Sequence, residues 1–145
     1  MPVSVDVHEI AAARLRDLDQ RYTTKRRALV EALLVSGPRT IPELLADLAG
    51  HAQSSAYRNL TVLEEAGVVH RIVGSGQFAR YELAEDLTGH HHHLICSTCG
   101  AVDDFTLSDT VERSLQDALR RSAQRSHFAA THHRLDLVGT CARCR

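Results

Sequence analysis

The chain lacks any run of about 18 apolar residues, which leaves no helix able to cross a membrane. Its first residues lack the charged-then-apolar layout of a secretory leader, so a cytoplasmic location is expected, where thiols stay reduced. Net charge is nearly absent: 17 Lys and Arg against 18 Asp and Glu leave −1, with a pI of about 6.8. Bulk charge therefore announces no polyanion partner. The sequence has no internal repeat and no low-complexity segment beyond one run of histidines. It also has neither a His-Glu-x-x-His motif nor a clear nucleophile, so an enzyme built on a catalytic ion lacks its general base.

What is present is globular. The 145 residues are 43% hydrophobic and 24% charged, enough for one ordinary domain or two small ones sharing an interface. Charge is unevenly spread. Residues 21–80 hold eight Lys/Arg against five acids, whereas residues 85–145 hold seven against eight. The first half is the better partner for a polyanion.

Hydrophobic spacing divides the chain the same way. Val7, Ile10, Ala11, Leu15 and Leu18 mark a first amphipathic helix over 7–19, and Thr23 or Thr24 caps a second that ends at Ser36-Gly37-Pro38. Thr40 and Glu43 form a capping box for a third, stopped by Gly50. Ser54 or Ser55 is expected to cap a fourth that ends at Gly67. Two strands follow, over 68–73 and 78–83, with Gly74-Ser75-Gly76-Gln77 as their hairpin turn. Helices followed by a β-hairpin is the winged helix-turn-helix order, in which the helix before the hairpin reads DNA. Glu85-Asp86-Leu87-Thr88-Gly89 is polar and turn-prone, a linker. Beyond it, strands over 90–96 and 101–107, a helix capped by Ser108 or Asp109, and a strand over 134–138 complete an α+β protein. The expected units are a winged-helix domain at 1–84, a hinge at 85–89 and a second domain at 90–145.

Two Cys-x-x-Cys pairs, Cys96/Cys99 and Cys141/Cys144, use every cysteine in the chain. Each pair can give two thiolates to one tetrahedral ion, and four thiolates leave no open position, which is the pattern of structural zinc. A redox pair or plain buried thiols would not require both knuckles.

The ten histidines are the outstanding compositional fact. His90-His91-His92-His93 precede Leu94-Ile95-Cys96. On a strand, alternate side chains face opposite ways, so His91 and His93 serve one site, and His90 and His92 another. Partners for these are His70 and Glu82 on the hairpin, Glu112 on the last helix, and His132-His133. Imidazole with carboxylate suits Zn²⁺, Fe²⁺, Mn²⁺ or Ni²⁺ alike. A metal-storage module would use the histidines but leave the winged helix without a purpose.

These residues together resemble the ferric uptake regulator family. The resemblance is carried from about Arg21 to Cys144 by Arg21-Tyr-Thr-Thr-Lys-Arg26, Ser55-Ala-Tyr-Arg-Asn-Leu60, Glu65-Ala-Gly-Val-Val69, the block His90 to Gly100, and His132 to Cys141. It implies a homodimeric repressor that binds a palindromic DNA operator when its regulatory metal is present. It implies structural zinc on Cys96, Cys99, Cys141 and Cys144. It implies a hinge sensor on His91, His93 and Glu82, with His70 at a position where zinc-sensing relatives carry an acid. Asp104 matches an acid that peroxide-sensing relatives use in the hinge. A second site falls on His90, His92, Glu112 and His133, with a one-residue insertion before Glu112. Tyr57 and Arg58 match the recognition helix beside Ser54 and Ser55, and Arg21 and Arg26 fall where phosphates or the minor groove are met. The chain departs from the family in having no histidine around Pro38 to Thr40 and no cysteine near Ala84. The absent helix histidine and the histidine content favour zinc as the sensed metal, although zinc-sensing relatives carry the cysteine that is missing here, with iron, manganese, nickel or peroxide as the alternatives.

Overall fold

A computed structural model describes residues 6–72 and 77–145. Helix α1, Val7–Asp17, starts where the Asp6 carboxylate accepts the His8 and Glu9 backbone N–H groups. Its apolar stripe buries Val7, Ala11 and Leu15. Helix α2, Thr24–Ser36, is capped by Thr23 and stops at Gly37, whose φ of 69° suits glycine. A two-residue strand β1, Arg39–Thr40, leads into α3, Ile41–Asp47. The expected capping box is present there. Thr40 N–H donates to Glu43 at 2.8 Å, and Glu43 N–H donates to the Thr40 hydroxyl at 3.3 Å.

Helix α4, Gln53–Glu65, begins at least two residues earlier than the sequence pattern indicates. Its N-cap is Ala52, with no side-chain cap. Ser54 and Ser55 therefore lie inside the first turn. Ser55 is buried and accepts from the Asn59 amide at 3.3 Å, one turn along. Strands β2, Val69–Ile72, and β3, Arg80–Leu83, pair antiparallel, with β1 on the far side of β3. The expected turn at Gly74-Ser75-Gly76-Gln77 falls outside the described residues, apart from Gln77. Strand β1 went unanticipated because two residues carry no alternation to read. One core unites this half, from Val7 and Leu15 through Leu29, Leu44, Leu60 and Leu63 to Tyr81 and Leu83.

The segment read as a polar linker is a helical turn, α5, Glu85–Thr88. Leu87, 8% exposed, sits in the winged-helix core and anchors the turn. Gly89, at φ 95°, then redirects the chain. Strands β4, His92–Cys96, β5, Val102–Phe105, and β6, Asp136–Gly139, form a second sheet in the order β5-β4-β6. Strand β6 runs parallel to β4, and helix α6, Asp109–Arg125, capped by Ser108, supplies the crossover between sheet edges. This half has little core of its own. Helix α6 buries no residue, and Val111, Leu119, Leu137 and Val138 are exposed. Among the described residues no helix is long and apolar enough to cross a membrane.

Candidate metal centres and the recognition helix

Strand β4 begins at His92, two residues later than the pattern indicates, so His90 and His91 precede it, yet the four histidines still divide by alternation. Three clusters of donor atoms result, and within each the atoms lie within 4.8 Å of one another.

The first cluster joins the two knuckles. Cys96, Cys99, Cys141 and Cys144 converge from the end of β4 and from the chain after β6. Cys99 Sγ and Cys141 Sγ are 3.8 Å apart. Four sulfurs at about 2.3 Å from a tetrahedral zinc stand about 3.8 Å from each other, so the donor set fits. Backbone N–H groups of Cys141 and Cys99 point at Cys96, and they bring its thiol down to about 6. Hydrogen bonding with the crowded sulfurs of Cys141 and Cys99 pushes Cys144 up to about 12. An ion replaces such thiol protons outright.

The second cluster spans the hinge. It consists of Glu82 from β3, His91 and His93 from the β4 approach, and Asp104 from β5. Asp104 stands opposite His93 in the sheet register. The Nε2 of His93 donates to Glu82 at 2.9 Å, and that of His91 at 3.2 Å. Asp104 Oδ1 lies 3.7 Å from His93 Nε2 and 4.0 Å from His91 Nε2. Donors bound at about 2.1 Å to a tetrahedral ion sit about 3.4 Å apart, and these distances bracket that value. Outer partners aim both rings. His91 Nδ1 donates to the Gly89 carbonyl at 2.9 Å, and His93 Nδ1 donates to Asp136 at 3.4 Å. Burial alone would raise Glu82, yet hydrogen bonds from His70, His93 and His91 hold its carboxyl well below the usual carboxylate range. Burial likewise lowers His91, but Gly89 and Glu82 outweigh it and raise the imidazole, while the Glu82 bond dominates at His93 and raises that ring too. Burial raises Asp104.

His70 is adjacent to this group and not among its four donors. Its Nε2 meets Glu82 Oε1 at 2.6 Å from a half-exposed side chain. The donor group that lies within 4.8 Å therefore contains Asp104, with His70 reaching it through Glu82.

The third cluster is His90, His92, Glu112 and His133. Glu112 receives His90 at 2.8 Å and His92 at 2.9 Å, and His133 Nε2 lies 3.0 Å from it without making a hydrogen bond. The His92 bond leads in holding the Glu112 carboxyl below its ordinary value. His90 Nδ1 also pairs with Glu85 on α5. Glu85 and Asp136 are the partners that sequence reasoning missed. Each is an isolated acid on an element whose position only the fold supplies.

On the winged half, Ser54, Tyr57 and Arg58 stand exposed on the first turns of α4, and Arg21 is exposed on the loop between α1 and α2. Tyr57 and Arg58 border a concavity of about 570 Å³ with Arg26 and Asn59. Arg26 is engaged internally. It donates to the Arg21 carbonyl at 2.7 Å and to Asn59 Oδ1 at 3.0 Å, and Asn59 in turn bonds Ser55. Arg26 and Ser55 thus brace the helix that carries Tyr57 and Arg58.

The ferric uptake regulator family model matches residues 17–138. The peroxide-responsive repressor PerR of Staphylococcus aureus is 27% identical over 144 residues, covering 94% of this chain and 92% of that protein. The Helicobacter pylori ferric uptake regulator Fur, described with three functional metal binding sites, superposes with a TM-score of 0.77 at 20% identity, covering 99% of this chain and 97% of that one. The Vibrio cholerae ferric uptake regulator, whose DNA-binding domains undergo structural rearrangement, gives a TM-score of 0.67 at 28% identity over 88% of this chain and 96% of that one.

Proposed function

This chain belongs to the ferric uptake regulator family, so it is a metal-binding transcriptional repressor rather than an enzyme; from that premise we propose that it senses zinc through the hinge cluster of Glu82, His91, His93 and Asp104. The observation that carries zinc is the closed set of four nitrogen and oxygen donors. Among the described residues no side-chain donor joins them from the α2–β1 connection. There Gly37 approaches Asp104, and a Cβ on it would come within 3.9 Å of Oδ2. Four-coordinate nitrogen and oxygen ligation is the habit of zinc, whereas iron and manganese favour more donors.

The four cysteines would hold a structural zinc, and His90, His92, Glu112 and His133 a further ion. A bound divalent ion would supply one positive centre shared by the two halves. Around it, Glu82 commits the wing, and His91, His93 and Asp104 commit the C-terminal sheet. With the wings fixed, the two α4 helices of a homodimer can meet successive major grooves, about 34–36 Å apart. Tyr57 and Arg58 would then face base edges, Ser54 and Arg21 would meet the backbone, and Arg26 and Ser55 would hold the helix in place. Coupling of this kind is worth about 1–3 kcal/mol and is reciprocal, so operator DNA tightens zinc binding. The uncovered apolar residues of α6 and β6 support a dimer through the C-terminal half.

Peroxide or iron sensing is the second function with an observation behind it, since Asp104 stands within the cluster and adds a second carboxylate. Gel-shift titration on the chain's own upstream DNA separates the two. Protein holding only thiolate-bound zinc is titrated with Zn²⁺, Fe²⁺, Mn²⁺ or Ni²⁺, and peroxide is added to the Fe²⁺ arm. Operator binding at the lowest free Zn²⁺ is expected. Binding that requires Fe²⁺ and is released by peroxide overturns zinc sensing.

A further inference from the structure

The wing hairpin has two faces with different duties. On β3, Tyr81 and Leu83 point into the winged-helix core. Arg80 and Glu82 alternate with them and point the other way. Across the ladder, Ile72 stands opposite Arg80, and His70 opposite Glu82. These four side chains make the face that meets the C-terminal half. Glu82 reaches the hinge histidines. Ile72 packs with Ile95 and Val102 in a small core separate from the main one.

Arg80 supplies the remaining contact. Its Nε donates to the Gly100 carbonyl at 2.8 Å, and its Nη1 to the Glu43 carboxylate at 2.9 Å. Gly100 closes the first cysteine knuckle, where its own N–H donates to the Cys96 carbonyl at 2.9 Å. Glu43 is the acid of the α3 capping box. One guanidinium thus ties α3, the wing and the thiolate knuckle together, with its side chain only 14% exposed.

We propose that Arg80 is a positioning residue for the metal response, a latch that holds the wing on the cysteine knuckle in the arrangement that presents Glu82 to His91 and His93. Arg80 ligates nothing itself. The latch and the hinge donors favour the same arrangement, so the latch lowers the cost of gathering those donors. Hinge affinity therefore depends on Arg80 although it touches no ligand. The inference rests on the hinge cluster being the regulatory site. A planar fork serves both partners at once, and a lysine ammonium on one flexible stem serves them less well.

The test compares full-length Arg80→Met and Arg80→Lys with the unmodified chain, each holding thiolate-bound zinc only. Hinge affinity for Zn²⁺ is read by competition with a chromogenic chelator on DNA-free protein, which keeps the result independent of any operator response. Loss of a charge-assisted hydrogen bond between the halves should weaken hinge binding by about tenfold in Arg80→Met, with part of the loss recovered in Arg80→Lys. Thiolate zinc content stays near that of the unmodified chain, and thermal unfolding without hinge metal falls in Arg80→Met only by the amount seen in Glu43→Gln, which loses the same ion pair. Small-angle scattering of the hinge-free protein should show a larger radius of gyration for Arg80→Met. Unchanged hinge affinity in Arg80→Met overturns the latch. Should that variant not fold, unchanged affinity in Arg80→Lys overturns it equally. Failure of the proposed function has a different signature, namely an unmodified chain that binds Zn²⁺ at the hinge without any change in operator binding.

Discussion

Glu82→Gln is the most informative single substitution. The side chain is 5% exposed, and it receives His70 at 2.6 Å, His93 at 2.9 Å and His91 at 3.2 Å. Glutamine keeps the volume and one carbonyl oxygen but removes the charge. At free zinc 100 times its dissociation constant, a hinge ion stabilises the folded chain by about 2.7 kcal/mol. For a protein near this size that is roughly 5–10 °C in Tm. Loss of an outer partner of a ligand typically costs about 10–100-fold in metal affinity, and loss of a charged donor costs at least that. A 100-fold loss at the same free zinc leaves about 0.4 kcal/mol, which is about 1 °C. The assay is differential scanning calorimetry of each protein with and without hinge zinc, the difference cancelling any change in the metal-free baseline. Asp104→Asn should behave as Glu82→Gln does, whereas His70→Ala removes only an outer partner of Glu82, and a tenfold weakening there leaves about 1.4 kcal/mol, roughly half of the zinc-induced shift. A full zinc-induced shift in Glu82→Gln would refute the hinge assignment.

Two further outcomes follow from other parts of the molecule. Cys96→Ser should lose its thiolate-bound zinc by metal analysis and unfold at lower temperature, because the chain end is then no longer tied to β4; retained zinc with unchanged unfolding counts against the structural site. Burial raises the Glu43 carboxyl, but the Thr40 N–H and the Arg80 guanidinium outweigh it and hold it below its ordinary value. A depressed acid contributes stability that is complete above the ordinary glutamate range and is lost as pH falls through its folded value. Urea midpoints of the unmodified chain and Glu43→Gln should therefore differ at pH 7 and converge as pH falls below about 4; a constant gap means that the ion pair contributes nothing.

The sequence made the elements and the ligands legible to different degrees. Helices with caps and apolar stripes, such as α2 and α3, read directly, because Thr23 and the Thr40/Glu43 box act within a few residues. The division of the histidine run was equally legible, since the strand period alone separates His91 and His93 from their neighbours. Polar composition hid α5, whose single apolar anchor, Leu87, finds its partners in a core assembled from distant segments. The choice between His70 and Asp104 was hidden for a related reason. Both acquire their positions from pairing, one across β2–β3 and one across β4–β5, and the sequence lists neither ladder. Arg80 carries no motif, and its importance appears only where β3 turns an edge toward Gly100.

Leu87 seated in the winged-helix core has a mechanical consequence. With α5 carried as part of the first body, free rotation between the halves is confined to the residues around Gly89. The pivot is thus a joint about one residue long, with His90 to His93 immediately beside it and α4 carried on the first body. Ligands so close to the fulcrum move little when they close, and the helix tip moves much. On the proposed hinge function, small closures among the four donor atoms would be geared up into larger displacements of α4.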